Sequence, residues 1–494
     1  MKKDIINNGW APLSAWCAAV FLLGSAVHGG VEIHPKEVGA AIDFGQIKDG
    51  TVDGADWSDQ TLTRTGVYLT SSGSYDKKLD LYVTIGGLFW YPIHPGESTP
   101  ERLVRFGPGV GQAQGVYSFG DPEKPSAKLQ FGLFSVKYNS DATNLGEYLY
   151  RSGTYPGYIW TGGWSYINAA SYLAQGVRFT LPTFDGKVVH DFTLFMERDI
   201  EPTSDFSPGY MMTVKPISFL EVGGGVVWSH ALSLNPDRLS PKIRLNAYVK
   251  STGRPLTMTD RTSPGLELND PAIRPDGDTL LGQAVPGRNG VNYVTVAQNG
   301  TPNSALGYYT FKGFKTMGRV SLDLGTLAGF DHNRSGDFKL YSEIALLGVE
   351  DQPYYYEHKD ERMPIMAGIS IPTFGVLNKL AVEMEYHKSR FPNAVGAPFY
   401  ESVPLPLDGA STNPFDYDFS DSTVAANKSK FEKDDLHWSV YASRKITQGV
   451  TLYAQAASDH LRHFTNPEVK PTSQPPTLKK SDWYYVVRLD FGLF

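Results

Sequence analysis

The clearest pattern along the chain is an alternation of apolar and polar residues with a period of two. Residues 380–387 read Leu-Ala-Val-Glu-Met-Glu-Tyr-His, so one face carries the larger apolar side chains and the other carries two glutamates and a histidine. Residues 187–197 and 243–250 repeat this arrangement. The period is that of a β-strand with one apolar face, and no stretch beyond residue 29 has a comparably strong helical period. The sequence therefore predicts an all-β fold.

Short turns and long connections alternate between the predicted strands. The short turns lie at 182–185, 215–218, 251–254, 372–375 and 445–448, whereas the long connections are 139–171, 261–305 and 389–434. With the N-terminus on the short-turn side, the turns fall on one side of the sheet and the long loops on the other. We count sixteen strands, with fourteen or eighteen as alternatives, beginning near residues 64, 79, 128, 172, 187, 209, 218, 242, 255, 306, 337, 363, 378, 435, 449 and 481.

This asymmetry is typical of a transmembrane β-barrel, in which short turns face the periplasm and long loops face the exterior. A sheet in a bilayer must close on itself, because open edges would leave backbone groups without hydrogen bonds. The alternative is a soluble sandwich or propeller with its aromatic residues in the core. That alternative does not explain why charged residues oppose an apolar face in strand after strand. The sequence favours an antiparallel barrel located in the cell outer membrane.

Composition changes this interpretation only at the N-terminus. The chain has 494 residues, a mean hydropathy of -0.28 and a formal net charge of -7, which excludes a polytopic helical membrane protein and a basic nucleic-acid-binding surface. Residues 1–29 combine two lysines, an apolar run and small residues, as a signal peptide does; an uncleaved anchor is the alternative. The one cysteine, Cys17, lies in this segment, so the mature chain is expected to form no disulfide.

Three parts are therefore expected along the chain. Residues 1–29 form the signal peptide, and residues 64–494 form the transmembrane barrel. Residues 30–63 form an N-terminal periplasmic segment or a plug of the lumen, with additional strands as an alternative. The connection 91–127 has no explanation in this scheme, because it would be a long segment on the short-turn side.

The last strand favours the membrane assignment. Residues 483–494 form an amphipathic strand that ends on Phe494, and it resembles the terminal assembly signal of outer-membrane barrels of Gram-negative bacteria. Phe494 has the parity of Arg488 and Asp490 rather than that of the apolar set, so a bulge would be needed to restore the phase.

Other segments resemble those of a poorly characterised family of large, porin-like envelope barrels. The segments are 106–115, 129–139, 144–160, 350–366 and 371–393, and with the hairpins the likeness covers most of the chain after residue 29. The resemblance implies a barrel fold and an outer-membrane location. It implies no substrate and no active residues.

Motifs for catalysis or cofactor binding are weak. The glycine-rich residues 106–115 lack the helix and lysine of a phosphate-binding loop, so a flexible connection is expected there. Residues 331–337 resemble the start of a calcium loop, but the required glutamate position holds Ser342, and a tight turn is favoured. Neither a GxSxG nor an HExxH motif occurs. We expect no enzymatic activity, no cofactor and no metal site.

The connection 139–171 carries the most distinctive side chains. Aromatic rings can stack on sugars, and arginine can bind carboxylates or phosphates. This loop is a candidate pore constriction or glycan-contact surface, with loop packing and an interfacial girdle as the alternative. Its candidate residues are Tyr148, Tyr150, Arg151, Tyr155, Tyr158, Trp160, Trp164 and Tyr166.

Alternate residues of each predicted strand face the lumen, and these residues include charges of both signs. Such a mixture does not form the single-sign ring that would make a channel ion-selective. The predicted lumen-facing residues are Arg178, Lys187, Asp191, Glu197, Arg244, Arg319, Asp323, Lys339, Glu343, Glu383, Glu385 and Arg444.

These observations predict a porin-like channel for passive diffusion of small hydrophilic solutes. The alternative is a non-conducting surface protein that binds glycans or anchors the envelope through its aromatic loops. The expected partners are outer-membrane lipid and either small solutes or glycans, without nucleic acid.

Overall fold

The computed structural model describes most of the predicted strands and part of one long loop. The described residues are 31–49, 51–52, 55–56, 59, 61–91, 105–150, 172–196, 206–229, 231–232, 248–249, 268–269, 284–286, 292–298, 301–308, 313–329, 338–349, 359–388, 399–400, 403–404, 436–458 and 483–492.

Sixteen strands close into one antiparallel barrel in chain order. Closure is made by the first strand, which pairs with both the second and the last. The strands are β1 (Val31–Asp49), β2 (Thr61–Tyr75), β3 (Leu79–Tyr91), β4 (Arg105–Asp121), β5 (Lys124–Val136), β6 (Tyr172–Thr183), β7 (Val188–Met196), β8 (Phe206–Ile217), β9 (Leu220–Ser229), β10 (Gly313–Asp323), β11 (Lys339–Leu346), β12 (Ile365–Ser370), β13 (Lys379–Tyr386), β14 (Leu436–Thr447), β15 (Val450–Ser458) and β16 (Trp483–Gly492).

The remaining described elements are short. A helix over Leu324–Leu327 is capped by Asp323, whose Oδ1 accepts a 2.8 Å hydrogen bond from the Thr326 backbone, and a 3₁₀ helix covers Lys359–Arg362. Short strands outside the barrel are Thr51–Val52 with Ala55–Asp56, Tyr248–Val249 with Leu268–Asn269, Ala284–Pro286 with Asn292–Gln298 and Thr301–Tyr308, and Phe399–Tyr400 with Val403–Pro404. Among the described residues, no helix has the length and apolarity needed to cross a membrane.

The barrel has its apolar residues outside and its charged residues inside. On β1, Ile42 and Phe44 are about half exposed on the outer face, whereas Asp43 between them is fully buried. On β13, Met384 is 48% exposed while the flanking Glu383 and Glu385 are each 1% exposed. Since soluble proteins place these residue types the other way round, the outer surface is suited to an apolar environment.

The two ends of the barrel differ in the length of most of their connections. One end carries seven connections, at 76–78, 122–123, 184–187, 218–219, 324–338, 371–378 and 448–449, together with the start of β1 and the end of β16. The other end carries eight connections, at 50–60, 92–104, 137–171, 197–205, 230–312, 347–364, 387–435 and 459–482. We call these the turn end and the loop end. This arrangement confirms the predicted barrel of about sixteen strands.

Two barrel strands lie where the sequence predicted none. The stretch 30–63, expected to be a periplasmic segment or plug, contains β1, and the stretch 91–127 contains β4. The glycine-rich residues 106–115 are therefore part of a strand rather than a flexible connection. Small residues hide the alternation in both strands, because glycine and alanine give little contrast between the two faces.

Two predicted strands do not belong to the barrel. The strands expected near residues 242 and 255 fall within the single connection 230–312 between β9 and β10, so the predicted turn 251–254 does not join two barrel strands. The described part of this connection forms small separate sheets, one of which includes Thr301–Tyr308. The predicted strand number is right because two missed strands offset two surplus ones.

A buried ion pair joins the two strands that close the barrel. Arg488 on β16 donates from Nε and from one Nη atom to the two carboxylate oxygens of Asp43 on β1, at 2.6 and 3.0 Å. Asp43→Ala leaves the guanidinium group without this carboxylate, and we expect the free energy of unfolding to fall by about 3–5 kcal/mol. Urea unfolding in detergent micelles, followed by tryptophan fluorescence, measures this loss. The variant Asp43→Leu/Arg488→Met removes both charges and is expected to lose less; an equal loss would contradict the role assigned to the pair.

Candidate functional site

A loop segment crosses the interior of the barrel. Residues 137–150, here called the inner segment, follow β5, and the backbone nitrogen of Thr143 donates a 2.5 Å hydrogen bond to Glu383 Oε1 on β13. In a ring of sixteen strands, β13 is eight strands away from β5 in either direction. The inner segment therefore reaches the opposite wall through the lumen.

The inner segment is folded as a compact turn by its own residues. The side chain of Asn139 accepts a 3.3 Å hydrogen bond from the Ala142 nitrogen, and the Asn139 nitrogen donates to Glu147 Oε1 at 3.1 Å. Gly146 has a φ of +80°, and a Cβ atom there would lie 2.6 Å from the terminal methyl carbon of Met366 on the wall. Glycine thus serves both the left-handed backbone and the close approach.

Glu383 on β13 is the central attachment point. Its two carboxylate oxygens accept hydrogen bonds from three successive backbone nitrogens, those of Thr143, Asn144 and Leu145, at 2.5, 2.7 and 2.9 Å. The Tyr341 hydroxyl donates a fourth at 2.7 Å. A row of backbone amides is a strong partner for a carboxylate that is removed from water, so this contact holds both the segment and the buried charge.

Two more buried glutamates of the wall bind the inner segment. Glu343 on β11 accepts from the Tyr138 hydroxyl at 2.6 Å, from Asn139 Nδ2 at 2.8 Å and from the Tyr148 nitrogen at 3.1 Å. Glu385 accepts from the Tyr148 hydroxyl at 2.6 Å. Three wall carboxylates are therefore stabilised by donors of the segment.

At Asp141 the acceptor belongs to the segment and the donors belong to the wall. The Asp141 carboxylate accepts from Lys339 Nζ at 2.7 Å and from Ser321 Oγ at 2.6 Å. Burial raises the pKa of the Asp141 carboxyl, but these hydrogen bonds and the charge of Lys339 outweigh it and hold the pKa below its usual range. Asp141 is therefore a charged anchor at neutral pH.

Beneath these polar contacts the inner segment packs on an apolar part of the inner wall. Glycines leave room for it: a Cβ at Gly225 would lie 2.9 Å from Leu149 Cδ1, and a Cβ at Gly209 would lie 2.9 Å from the Tyr150 hydroxyl oxygen. The packed residues are Ala142, Leu145, Tyr148 and Leu149 of the segment with Met211, Val227, Met317, Tyr341, Ala345, Leu347 and Met366. The segment is thus a packed part of the barrel interior.

The structure places two of the predicted aromatic residues in the inner segment. Tyr148 is fully buried, and Tyr150 forms a 2.8 Å hydroxyl hydrogen bond with Thr193 on β7 and packs on Phe195. Sequence reasoning missed the segment's polar residues, whose Asn-Ser-Asp-Ala-Thr-Asn composition is typical of a turn. The other predicted residues, Arg151, Tyr155, Tyr158, Trp160, Trp164 and Tyr166, lie outside the described residues.

Seven of the predicted lumen charges lie on inner faces of strands. Besides Lys339 and the three glutamates, these include Arg178, which binds both oxygens of Asp191 at 2.8 and 2.9 Å. Arg319 lies 2.7 Å from Glu221. Lys187 is exposed in a turn, and Asp323 caps the short helix at the turn end. Glu197 and Arg244 lie outside the described residues.

Arg444 lies on the outer face, contrary to the sequence expectation. The buried inner residues of β14 are His437, Ser439, Tyr441 and Ser443, so Arg444 has the opposite parity and is exposed. A register shift between Lys445 and Thr447 changes which face successive residues occupy at this end of the strand. Counting alternate residues from the turn therefore assigns Arg444 to the wrong face.

The described residues contain no group of three or more histidine, cysteine, aspartate or glutamate side chains that could hold a metal ion. The calcium-like residues 331–337 lie outside the described part of the chain.

Glu383→Gln tests the attachment of the inner segment. The substitution places an amide group against three N–H donors, and hydrogen bonds to a charged acceptor contribute about 1.5–3 kcal/mol each. We expect hydrogen exchange of the amides of residues 143–145 to become at least about tenfold faster, as measured by mass spectrometry in micelles. Glu221→Gln is the matched control, because Glu221 binds Arg319 and Lys215 of the wall. Unchanged exchange in Glu383→Gln would show that this carboxylate does not hold the segment.

Comparisons with known proteins give structural likenesses only. No protein-family model matches the sequence, and neither does any curated protein. A high-pH structure of OprB from Pseudomonas putida is 8% identical, with 97% of each chain covered and a TM-score of 0.44. A variant of the porin of Rhodobacter blastica is 7% identical, with 94% of this chain and 100% of that chain covered and a TM-score of 0.39. The function is therefore inferred from the chain's own geometry.

Proposed function

We propose that this protein is an outer-membrane channel for passive diffusion of small hydrophilic solutes. The observation that carries the proposal is the inner segment, which is attached to the inner walls of β7 and β10–β14. On the inner face of β3–β5, the side chains of Tyr82, Gln114 and Gln130 keep part of their surface exposed. Among the described residues, the inner segment covers one part of the wall and leaves polar side chains of another part accessible, which supports a lumen that is narrowed but open.

The outer surface supports a position in a bilayer. A closed barrel satisfies its backbone hydrogen bonds without edges, and its outer face is apolar. Aromatic rings flank this face near the loop end, where Trp228 stacks on Phe314 with centroids 5.4 Å apart and Trp438 lies 6.4 Å from Trp483. Such rings are typical of the two interfaces of outer-membrane barrels. We place the chain in the outer membrane of a Gram-negative bacterium, with the loop end outside.

Passive diffusion requires no catalytic residue, so the proposal includes no enzymatic activity and no cofactor. The partners are outer-membrane lipid and the permeating solutes, without nucleic acid. The alternative is a non-conducting surface protein that binds glycans or anchors the envelope through its loops, and the experiment below separates the two functions.

Single-channel recording in a planar bilayer tests the proposal. The refolded chain is expected to give discrete current steps whose size is proportional to salt concentration, because a water-filled lumen conducts like a short column of electrolyte. Correct insertion without current would contradict the channel and favour the surface protein.

Replacing residues 139–149 by a short glycine-serine linker tests the constriction. We expect larger current steps, because the linker lacks the side chains that pack inside the lumen. Circular dichroism and heat-dependent gel mobility check that this variant still forms a barrel. A step size equal to that of the unmodified chain would show that the inner segment does not limit the current.

A further inference from the structure

We infer that the passage selects uncharged, hydroxyl- or amide-bearing solutes over ions, and that its selective wall is the inner face of β2–β5. This inference rests on the proposed channel function. It follows from where the structure places charged and uncharged polar groups around the lumen.

The largest group of lumen carboxylates is withdrawn from the passage. Glu343, Glu383 and Glu385 are each 1% exposed, and their oxygens accept the hydrogen bonds of the inner segment. A passing ion therefore meets the segment rather than these charges. The inner segment both narrows the lumen and removes three negative charges from its surface.

Two other pairs of charges neutralise each other on the remaining wall. Arg488 and Asp43 form a buried pair with two hydrogen bonds, and Arg178 and Asp191 form the same arrangement. A carboxylate bound by both arms of a guanidinium group presents little net charge to the lumen. Neither pair attracts ions of one sign.

The middle of the inner face of β2–β5 presents uncharged hydrogen-bonding groups at several partly exposed positions. Ser72 pairs with Tyr82 in the register of β2 and β3, and Tyr82 pairs with Gln114 on β4. Gln130 on β5 lies beside them, with its Nε2 donating to Gln114 Oε1 at 2.5 Å. Amide and hydroxyl groups offer both donors and acceptors, as a polyhydroxylated or amide solute requires when it leaves water.

On the described inner faces of the strands, the charges that stay exposed lie near the turn end and have both signs. Asp80, Lys128 and Lys215 lie on inner faces close to that end and keep partial or full exposure. A mixture of signs at a mouth does not make a single-sign selectivity ring. The described wall therefore offers hydrogen bonds to neutral solutes without a strong preference for cations or anions.

Reversal potentials and liposome swelling test this inference on the full mature chain. In a tenfold potassium chloride gradient, we expect a potassium-to-chloride permeability ratio of about 1, because the described charges are paired or of both signs. In liposomes, we expect a neutral sugar to enter at least as fast as a carboxylate or an amine of the same size.

Two variants connect the selectivity to the proposed wall. Gln114→Glu/Gln130→Glu adds two carboxylates beside the path, and we expect the permeability ratio to shift toward potassium by about threefold or more. Gln46→Glu is the matched control, because Gln46 lies on the outer face of β1, where it contacts Tyr485. We expect this control to leave the ratio unchanged.

The outcomes separate the two proposals. A ratio above about 10 or below about 0.1, or exclusion of the neutral sugar from a conducting barrel, would overturn the inference and leave the channel function intact. A conducting barrel whose ratio does not respond to Gln114→Glu/Gln130→Glu would overturn the assignment of the wall. The absence of both current and swelling would overturn the channel function itself.

Discussion

The interior of this barrel depends on the contact between Glu383 and three successive backbone amides of the inner segment. A carboxylate on the inner wall is costly to bury unless donors replace the water that it loses. Backbone amides in a turn also lose free energy when they are buried without acceptors, although less than a charge does. Each group supplies what the other lacks, and the contact joins two parts of the chain that are about 240 residues apart.

Around this contact the wall is shaped to receive the segment. Glycine at positions 209 and 225 leaves space for Tyr150 and Leu149, and methionine side chains fill the irregular gaps, as flexible thioethers do in other cores. Polar anchors at Glu343 and Asp141 set the orientation of the segment. The interior therefore combines a packed apolar core with a charged network, whereas the outer face is predominantly apolar.

This division explains how one barrel can hold many charges without a strong net field. The carboxylates of β11 and β13 are covered by the segment, and arginines elsewhere are paired across neighbouring strands. In the middle of the inner face of β3–β5, the side chains that stay partly exposed include the uncharged polar groups of Tyr82, Gln114 and Gln130. The proposed selection by hydrogen bonding and by width rests on this arrangement, and the inner segment contributes to both.

The all-β class, the closed barrel of about sixteen strands and its two unequal ends could all be predicted from the amino-acid pattern, because a period of two and the lengths of connections are local properties. The same pattern identified Tyr148 as a candidate constriction or glycan-contact residue and the glutamates of β11 and β13 as lumen-facing charges. It misassigned β1 and β4, where small residues conceal the alternation, and Arg444, where a register shift changes the phase. The binding of residues 137–150 to Glu383 could not be predicted in this way. It brings a loop that follows β5 to the opposite wall at β13, and no local sequence pattern encodes a contact between such distant residues.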